Sequence, residues 1–223
     1  MRNYKMILFD LDGTLSDPKI GITKSVQYSL QKMSILEKDL TKLESFIGPP
    51  LQDSFSKEYG FNDVEVNRAI AFYRERFVEK GMFENQLYSG IQQLLGRLKN
   101  ENKTVVVATS KPTPFAEQIC TFFNIDQYFD MIVGSNLDGS RISKTEIIKY
   151  AMDQYPEYAN DQFLMIGDRK HDVIGAHNNQ ISSIGVTFGY GTYEELSEYA
   201  PTAIVHSVGE LEDCLLAGAR EFK

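Results

Sequence analysis

The sequence predicts an α/β fold, a doubly wound parallel sheet interrupted by an all-helical insertion. Three observations carry that expectation. Short apolar runs alternate with helical segments from Tyr88 onward, the run Met6-Ile7-Leu8-Phe9 ends in paired carboxylates, and no strand signal appears between about Ser16 and Leu87. Repeated strand and helix units of this length build a parallel sheet with helices on both faces. The first run has no crossover helix of its own before the insertion, so it must join the later strands in one sheet. The expected core is therefore discontinuous, residues 1–16 and 87–223, with residues 17–86 as a separate helical domain.

Each element follows from local pattern. After Leu15 the apolar spacing becomes helical, with Ile22, Val26, Ser29, Leu30 and Met33 on one stripe and Leu40, Leu43 and Phe46 beyond it. Gly48-Pro49-Pro50 stops the chain. A helix from Leu51 towards Tyr59 and a longer one over 64–78, with Ala69, Phe72, Tyr73 and Phe77 as its stripe, complete the insertion. Ile91, Leu94, Leu95 and Leu98 then mark a helix, and Thr104-Val105-Val106-Val107-Ala108 is the β-branched run of a buried parallel strand. Helices over 115–123, 144–152 and 173–178 alternate with strands at 131–133, 163–166, 184–186 and 203–205.

At 223 residues the chain can bury a full core. A net charge of −8 and a pI near 5.0 argue against a nucleic acid polymer or an anionic membrane as partner, because both need a basic face. A small anionic ligand is not excluded, since local donors bind it. Cys120 and Cys214 lie on apolar helical stretches and read as buried free thiols. The three histidines are too scattered for a zinc site and read as surface positions. The N-terminus runs straight into a strand, and no apolar stretch approaches the roughly 20 residues needed to span a bilayer. A cytoplasmic protein is expected, with its oligomeric state open.

The chemistry begins at Asp10-Leu11-Asp12-Gly13-Thr14. Residues i and i+2 of an extended strand point the same way, so Asp10 and Asp12 project together. At about 4 Å and an effective dielectric of roughly 20, two such charges repel by roughly 4 kcal/mol. A bound cation is the simplest compensation. Gly13-Thr14 supplies a turn whose N–H groups are expected to face an anion.

Ligands of open parallel sheets collect at the carboxyl ends of strands, which directs attention to the residues past each apolar run. Thr109 and Ser110 follow one strand, and Gly167, Asp168 and Asp172 follow another. Thr109 serves equally as the start of a turn or as a donor to a phosphoryl oxygen; Ser110 stands beside it, and Lys111 reads as solvated. Ser143 and Glu146 fit a capping box. Lys144 does not, because a cation near a helix N-terminus opposes the macrodipole, and an anion held between it and Asp10 would remove the objection. Asp168 alone reads as an N-cap. With Asp172 on the same helical face, and both facing Asp10 and Asp12, the oxygen-rich set suits Mg²⁺.

In this order, Asp10 with Asp12, then Thr109, Lys144, and Gly167-Asp168 through Asp172 resemble the four motifs of the haloacid dehalogenase-like hydrolase superfamily over the whole chain. Thr109-Ser110-Lys111-Pro112, Gly167-Asp168-Arg169 and Gly189-Tyr190-Gly191 resemble its phosphoglycolate phosphatase and 5′-nucleotidase-like branch, from which Ser110 departs where Asn is more usual. The resemblance implies a Rossmann-like core with a type 1 helical cap and a Mg²⁺-dependent phosphomonoester hydrolase acting on a small soluble ester. It implies Asp10 as nucleophile, Asp12 as acid/base, and Asp10, Leu11, Asp12, Thr109, Ser110 and Lys144 around the phosphate. Asp10, the Asp12 carbonyl and Asp168 would take the metal, supported by Gly167 and Asp172.

Rival readings remain in view. A dehalogenase lacks the second aspartate, and a phosphonate hydrolase needs a cap lysine, for which Lys24 or Lys32 would serve. A β-phosphoglucomutase-like phosphotransferase shares the constellation and the cap type. A phosphate-binding regulatory module without turnover is the rival from another class. The cap, with the Gly48-Pro49-Pro50 turn and Arg74 or Arg76, is expected to face the leaving group, any single cap arginine being otherwise solvated.

Overall fold

The computed structural model describes residues 4–216 of the chain. The strands in chain order are β1 Met6–Phe9, β2 Ser16–Asp17, β3 Gln86–Leu87, β4 Thr104–Pro112, β5 Met131–Ser135, β6 Phe163–Gly167, β7 Ser182–Val186 and β8 Ala203–Val205. The helices are α1 Lys19–Lys32, α2 Leu51–Tyr59, α3 Asp63–Glu79, α4 Ile91–Asn100, α5 Thr113–Phe122, α6 Lys144–Asp153, α7 Lys170–Asn178, α8 Tyr193–Glu198 and α9 Val208–Leu216. Two compact units result, Met1–Ser16 with Leu87–Lys223, and Asp17–Gln86. No helix among the described residues is long and apolar enough to cross a membrane.

The first unit is built on a six-stranded sheet of order β5-β4-β1-β6-β7-β8, with every pairing parallel. β1 lies inside it because Met6, Ile7, Leu8 and Phe9 have no polar face to give to water, and all four are buried. Leu8 sits opposite Val106 of β4 and Met165 of β6. Met6 and Leu8 share a core with Val106, Val133, Ile147, Ile148 and Met165, so α6 covers this face. Chain order reverses direction at β1, and a crevice at the carboxyl ends of the strands follows from that reversal.

In the second unit α1 packs on α3, fastened where Ser29 Oγ donates to the Ala69 carbonyl at 2.6 Å. Asn62 and Glu65 form a capping box that starts α3. Leu40–Phe46 is a 3-10 helix, and Phe46 meets Phe55 edge to face at 4.9 Å. Ala69, Tyr73 and Phe77 of the expected stripe are buried, while Phe72 is half-buried.

The structure corrects several expectations. The second strand of the core continues through Thr109 to Pro112, with a register irregularity after Ala108. The short helix α8 was not anticipated, because it has too few residues to display a period, while α9 is the helical stretch expected around Cys214. The ends of the insertion are not featureless, since β2 and β3 pair as a two-stranded ribbon. Arg76 is not solvated: its guanidinium holds Glu84 at 2.8 Å and Ser25 Oγ at 3.2 Å. Cys120 and Cys214 are free, but only Cys120 is buried, where desolvation pushes its thiol up to about 12. His177 and His206 are exposed and His171 is half-buried, with its pKa lowered by burial.

Leu8 has no exposure and neighbours on both flanking strands. Leu8→Ala should lower unfolding free energy by about 2–5 kcal/mol, read from a denaturant titration. An unchanged midpoint would show that packing at β1 does not limit stability.

Candidate active site

The site is assembled at the strand ends. Asp10 N donates to the Ile166 carbonyl at 2.9 Å, carrying the β1–β6 ladder one residue further, and the chain then turns sharply. Leu15 N and Ser16 N both reach the Leu11 carbonyl, at 2.9 and 3.0 Å, and Gly13 N donates to the Ser16 carbonyl at 2.8 Å. Gly13 has φ +83, and a Cβ there would overlap the Asp168 carboxylate. Only glycine satisfies both demands.

This turn uses its own donors. Thr14 N is directed to the Leu11 carbonyl at 3.3 Å, so the expectation that the Gly13 and Thr14 N–H groups face an anion fails. Leu11 N likewise donates to Asp10 Oδ1 at 2.7 Å, within the turn's own carboxylate.

Lys144 opens α6, where Ser143 and Glu146 form both halves of a capping box. Its ammonium is buried and lies 2.8 Å from Asp10 Oδ1 and 2.7 Å from Asp172 Oδ1. It also donates to the Ala108 carbonyl at 2.8 Å. Burial by itself disfavours this charge, yet Asp10 and Asp172 outweigh burial and raise the pKa. The macrodipole objection to a lysine here is met by these two carboxylates.

Asp168 follows β6 and is fully buried; Oδ2 accepts from Tyr190 N at 2.8 Å and Oδ1 from Thr14 Oγ1 at 3.4 Å. It is not the N-cap of α7. Arg169 takes that position, and its N–H donates to Asp172 Oδ2 at 3.1 Å. Gly167 ends β6 against Asp172, where a Cβ would collide with the carboxylate. Burial, then the neighbouring Asp10 and Asp172, holds Asp168 well above the usual carboxylate range. Burial pushes Asp172 up to about 6 against the opposing pull of Lys144.

Thr109 is buried, with Oγ1 accepting from Lys111 N at 3.3 Å. Ser110 is half-buried, and its carbonyl accepts from Ser135 Oγ at 2.9 Å. Lys111 corrects the sequence reading outright: it is buried, and its ammonium lies 2.8 Å from Asp12 Oδ2. β4 runs on as strand through this stretch, and Lys111 lies buried in it as Thr109 does. Burial raises the pKa of Asp12 despite this partner.

Asp10, Asp168 and Asp172 each offer an oxygen, all within 4.8 Å of one another. At an effective dielectric of about 20, each ionised pair repels by at least roughly 3.5 kcal/mol. Lys144 answers only part of that. An all-oxygen, buried, acidic donor set fits a hard divalent cation. The Asp12 carboxylate lies outside this trio.

The model of the haloacid dehalogenase-like hydrolases matches residues 7–186. A 5′-nucleotidase of Pseudomonas aeruginosa is 45% identical over 95% of this chain and 96% of its own. The tyrosine-protein kinase PtkA of Mycobacterium tuberculosis is 34% identical over 95% of this chain and 72% of its own. A phosphoglycolate phosphatase of Colwellia psychrerythraea is 26% identical over 95% and 96%. The crystal structure of a predicted phosphatase from Clostridium acetobutylicum is 50% identical, covers 96% of this chain and 99% of its own, and superposes with a TM-score of 0.93. The chain belongs to the haloacid dehalogenase-like hydrolases. Within them it is an enzyme of the phosphatase kind.

Asp172 tests the electrostatics. Its folded pKa stands above the ordinary carboxylate value, so its contribution to stability is complete below about pH 4 and is lost as pH rises through about 6. In metal-free buffer, Asp172→Asn should therefore gain melting temperature relative to the parent as pH rises across that window. A difference that is flat or shrinks with pH would refute the assignment.

Proposed function

We propose that the protein is a cytoplasmic, Mg²⁺-dependent phosphomonoester hydrolase that acts on a small phosphate ester, foremost a 5′-nucleotide, through an aspartyl-phosphate on Asp10. The observation that supports this most is the buried Asp10 carboxylate at the sheet's carboxyl edge, fixed by Lys144 and Leu11 N beside a second, separately held aspartate. The preference for a nucleotide follows the relative named 5′-nucleotidase, which is more similar than the one named phosphoglycolate phosphatase.

An Asp10 oxygen attacks phosphorus while the ester P–O bond breaks, and Asp12 gives its proton to the departing oxygen. Asp12 then takes a proton from water; the water oxygen bonds to phosphorus, the Asp10–phosphorus bond breaks, and inorganic phosphate leaves. Thr109, Ser110 and Lys144 orient the phosphoryl oxygens, Leu11 N steadies Asp10 Oδ1, and Lys144 lowers the repulsion between Asp10 and an anionic substrate. Asp10, the Asp12 carbonyl and Asp168 would hold Mg²⁺, with Gly167 giving Asp172 room to steady Lys144. The ion, when bound, neutralises charge on the transferred group.

Residues 17–86, which follow the Asp12 turn directly in the chain, are proposed as a cap that restricts access to small esters. A second reading comes from the relative named tyrosine-protein kinase: transfer of the phosphoryl group to an acceptor other than water would share the first half-reaction. A mutase-like transfer differs from hydrolysis in the same way. Release of inorganic phosphate in a panel of nucleotides, phosphoglycolate and sugar phosphates separates hydrolysis from both.

In that assay Asp10→Asn should lose at least about a thousandfold in turnover and keep the parent's circular dichroism and melting profile. Near-normal turnover would exclude the covalent route. Dialysis against EDTA should abolish activity, Mg²⁺ should restore it, and the larger Ca²⁺ should restore little. Full activity in metal-free buffer would exclude the assigned cation.

A further inference from the structure

Lys111 has no part in the mechanism above, yet it is among the most constrained cations of the first unit. The chain around it is bolted to β5: Ser135 Oγ donates to the Ser110 carbonyl at 2.9 Å, and Gly134 N donates to Thr113 Oγ1 at 2.9 Å. A Cβ at Gly134 would collide with the Lys111 carbonyl, so close approach of the two strands is built into the sequence. The register irregularity between Ala108 and Pro112 falls in the same stretch. Such irregularities re-aim side chains beside functional sites. The result is an ammonium 2.8 Å from Asp12 Oδ2, with the two side chains 6% and 10% exposed.

The other oxygen of the same carboxylate is the informative atom. Asp12 Oδ1 is buried and has no hydrogen-bond partner among the described residues. A buried polar atom without a partner is costly, and its persistence asks for an explanation. It does not belong to the Asp10, Asp168 and Asp172 oxygen cluster. Nor does a buried ion pair such as Asp12–Lys111 justify itself by stability, since apolar replacements are often neutral. What the pair does accomplish is to fix one oxygen and leave the other open.

We propose that Lys111 is a positioning residue for Asp12. It anchors Oδ2, and thereby assigns Oδ1 as the oxygen that passes its proton to the leaving group and later accepts one from water. The ammonium itself neither gives nor takes a proton. This inference rests on the acid/base reading of Asp12, and the test separates the two.

The test compares kcat/KM for an alkyl phosphate, a 5′-nucleotide, with that for para-nitrophenyl phosphate. kcat/KM reports events up to departure of the leaving group. An alkyl oxygen needs a proton to depart, whereas nitrophenolate leaves as a stable anion. Asp12→Asn should lose about 10²–10⁴-fold on the nucleotide and far less on the aryl ester. Lys111→Met should show the same selectivity at smaller size, about 10–100-fold on the nucleotide, with a melting profile like the parent's. Lys111→Arg should recover part of the nucleotide rate. A merely structural role for Lys111 would depress both substrates equally.

Equal losses or no loss in Lys111→Met, beside a selective Asp12→Asn, overturn this inference alone. A non-selective Asp12→Asn overturns the acid/base reading and this inference with it. Should Lys111→Met fail to fold, Lys111→Gln is read by the same criterion.

Discussion

The structure depends on one buried ammonium. Asp10, Asp168 and Asp172 crowd their oxygens together in the interior, and Lys144 is the cation that lies between two of them. Removing that lysine would leave uncompensated buried charge, at a cost of about 3–5 kcal/mol. The surroundings are arranged to make Lys144 fit. The Ala108 carbonyl at the β4 irregularity accepts from it, and the capping box of Ser143 and Glu146 starts α6 with this side chain buried. The charge that opposes the helix dipole is held by its neighbours, and those neighbours are held by it.

Two lysines divide the work of the site. Lys144 serves the trio of carboxylates, while Lys111 serves Asp12 alone. The two aspartates of one short turn are thus held by different cations from different elements, α6 and β4. That separation keeps two like charges, two positions apart at a strand end, in distinct environments. The turn between them spends its own N–H groups on internal carbonyls and on Asp10, so it acts as a rigid mount.

Much of this was legible in the sequence, for physical reasons. β1, β6 and the first half of β4 read correctly because strands buried on both faces have no polar alternation to confuse the pattern. Asp10 with Asp12 stood out as an unexplained charge concentration, and Lys144 stood out as a cation on the wrong end of a helix. The inward course of Lys111 was hidden, because it depends on β4 continuing past Ala108 with an irregular register that no local composition announces. The donors of Gly13 and Thr14 were misread because a loop sequence does not show which of its groups satisfy one another. Helix α8 was missed since six residues capped by Thr192 show too little periodicity.

The insertion between β1 and the rest of its sheet bears on how the chain is made. β1 leaves the ribosome ahead of its neighbours in the sheet, which begin at Thr104 and Phe163 and emerge only after the whole helical unit. The helical unit is complete in sequence by residue 86 and, as a unit, can fold during synthesis, while the apolar strand Met6–Phe9 must wait without a mate. Pairings of such high contact order are slow to form, and an exposed apolar strand is open to pairing with other chains meanwhile. The arrangement that brings distant segments to one catalytic edge therefore makes the newborn protein most vulnerable at the very strand that carries its first aspartate.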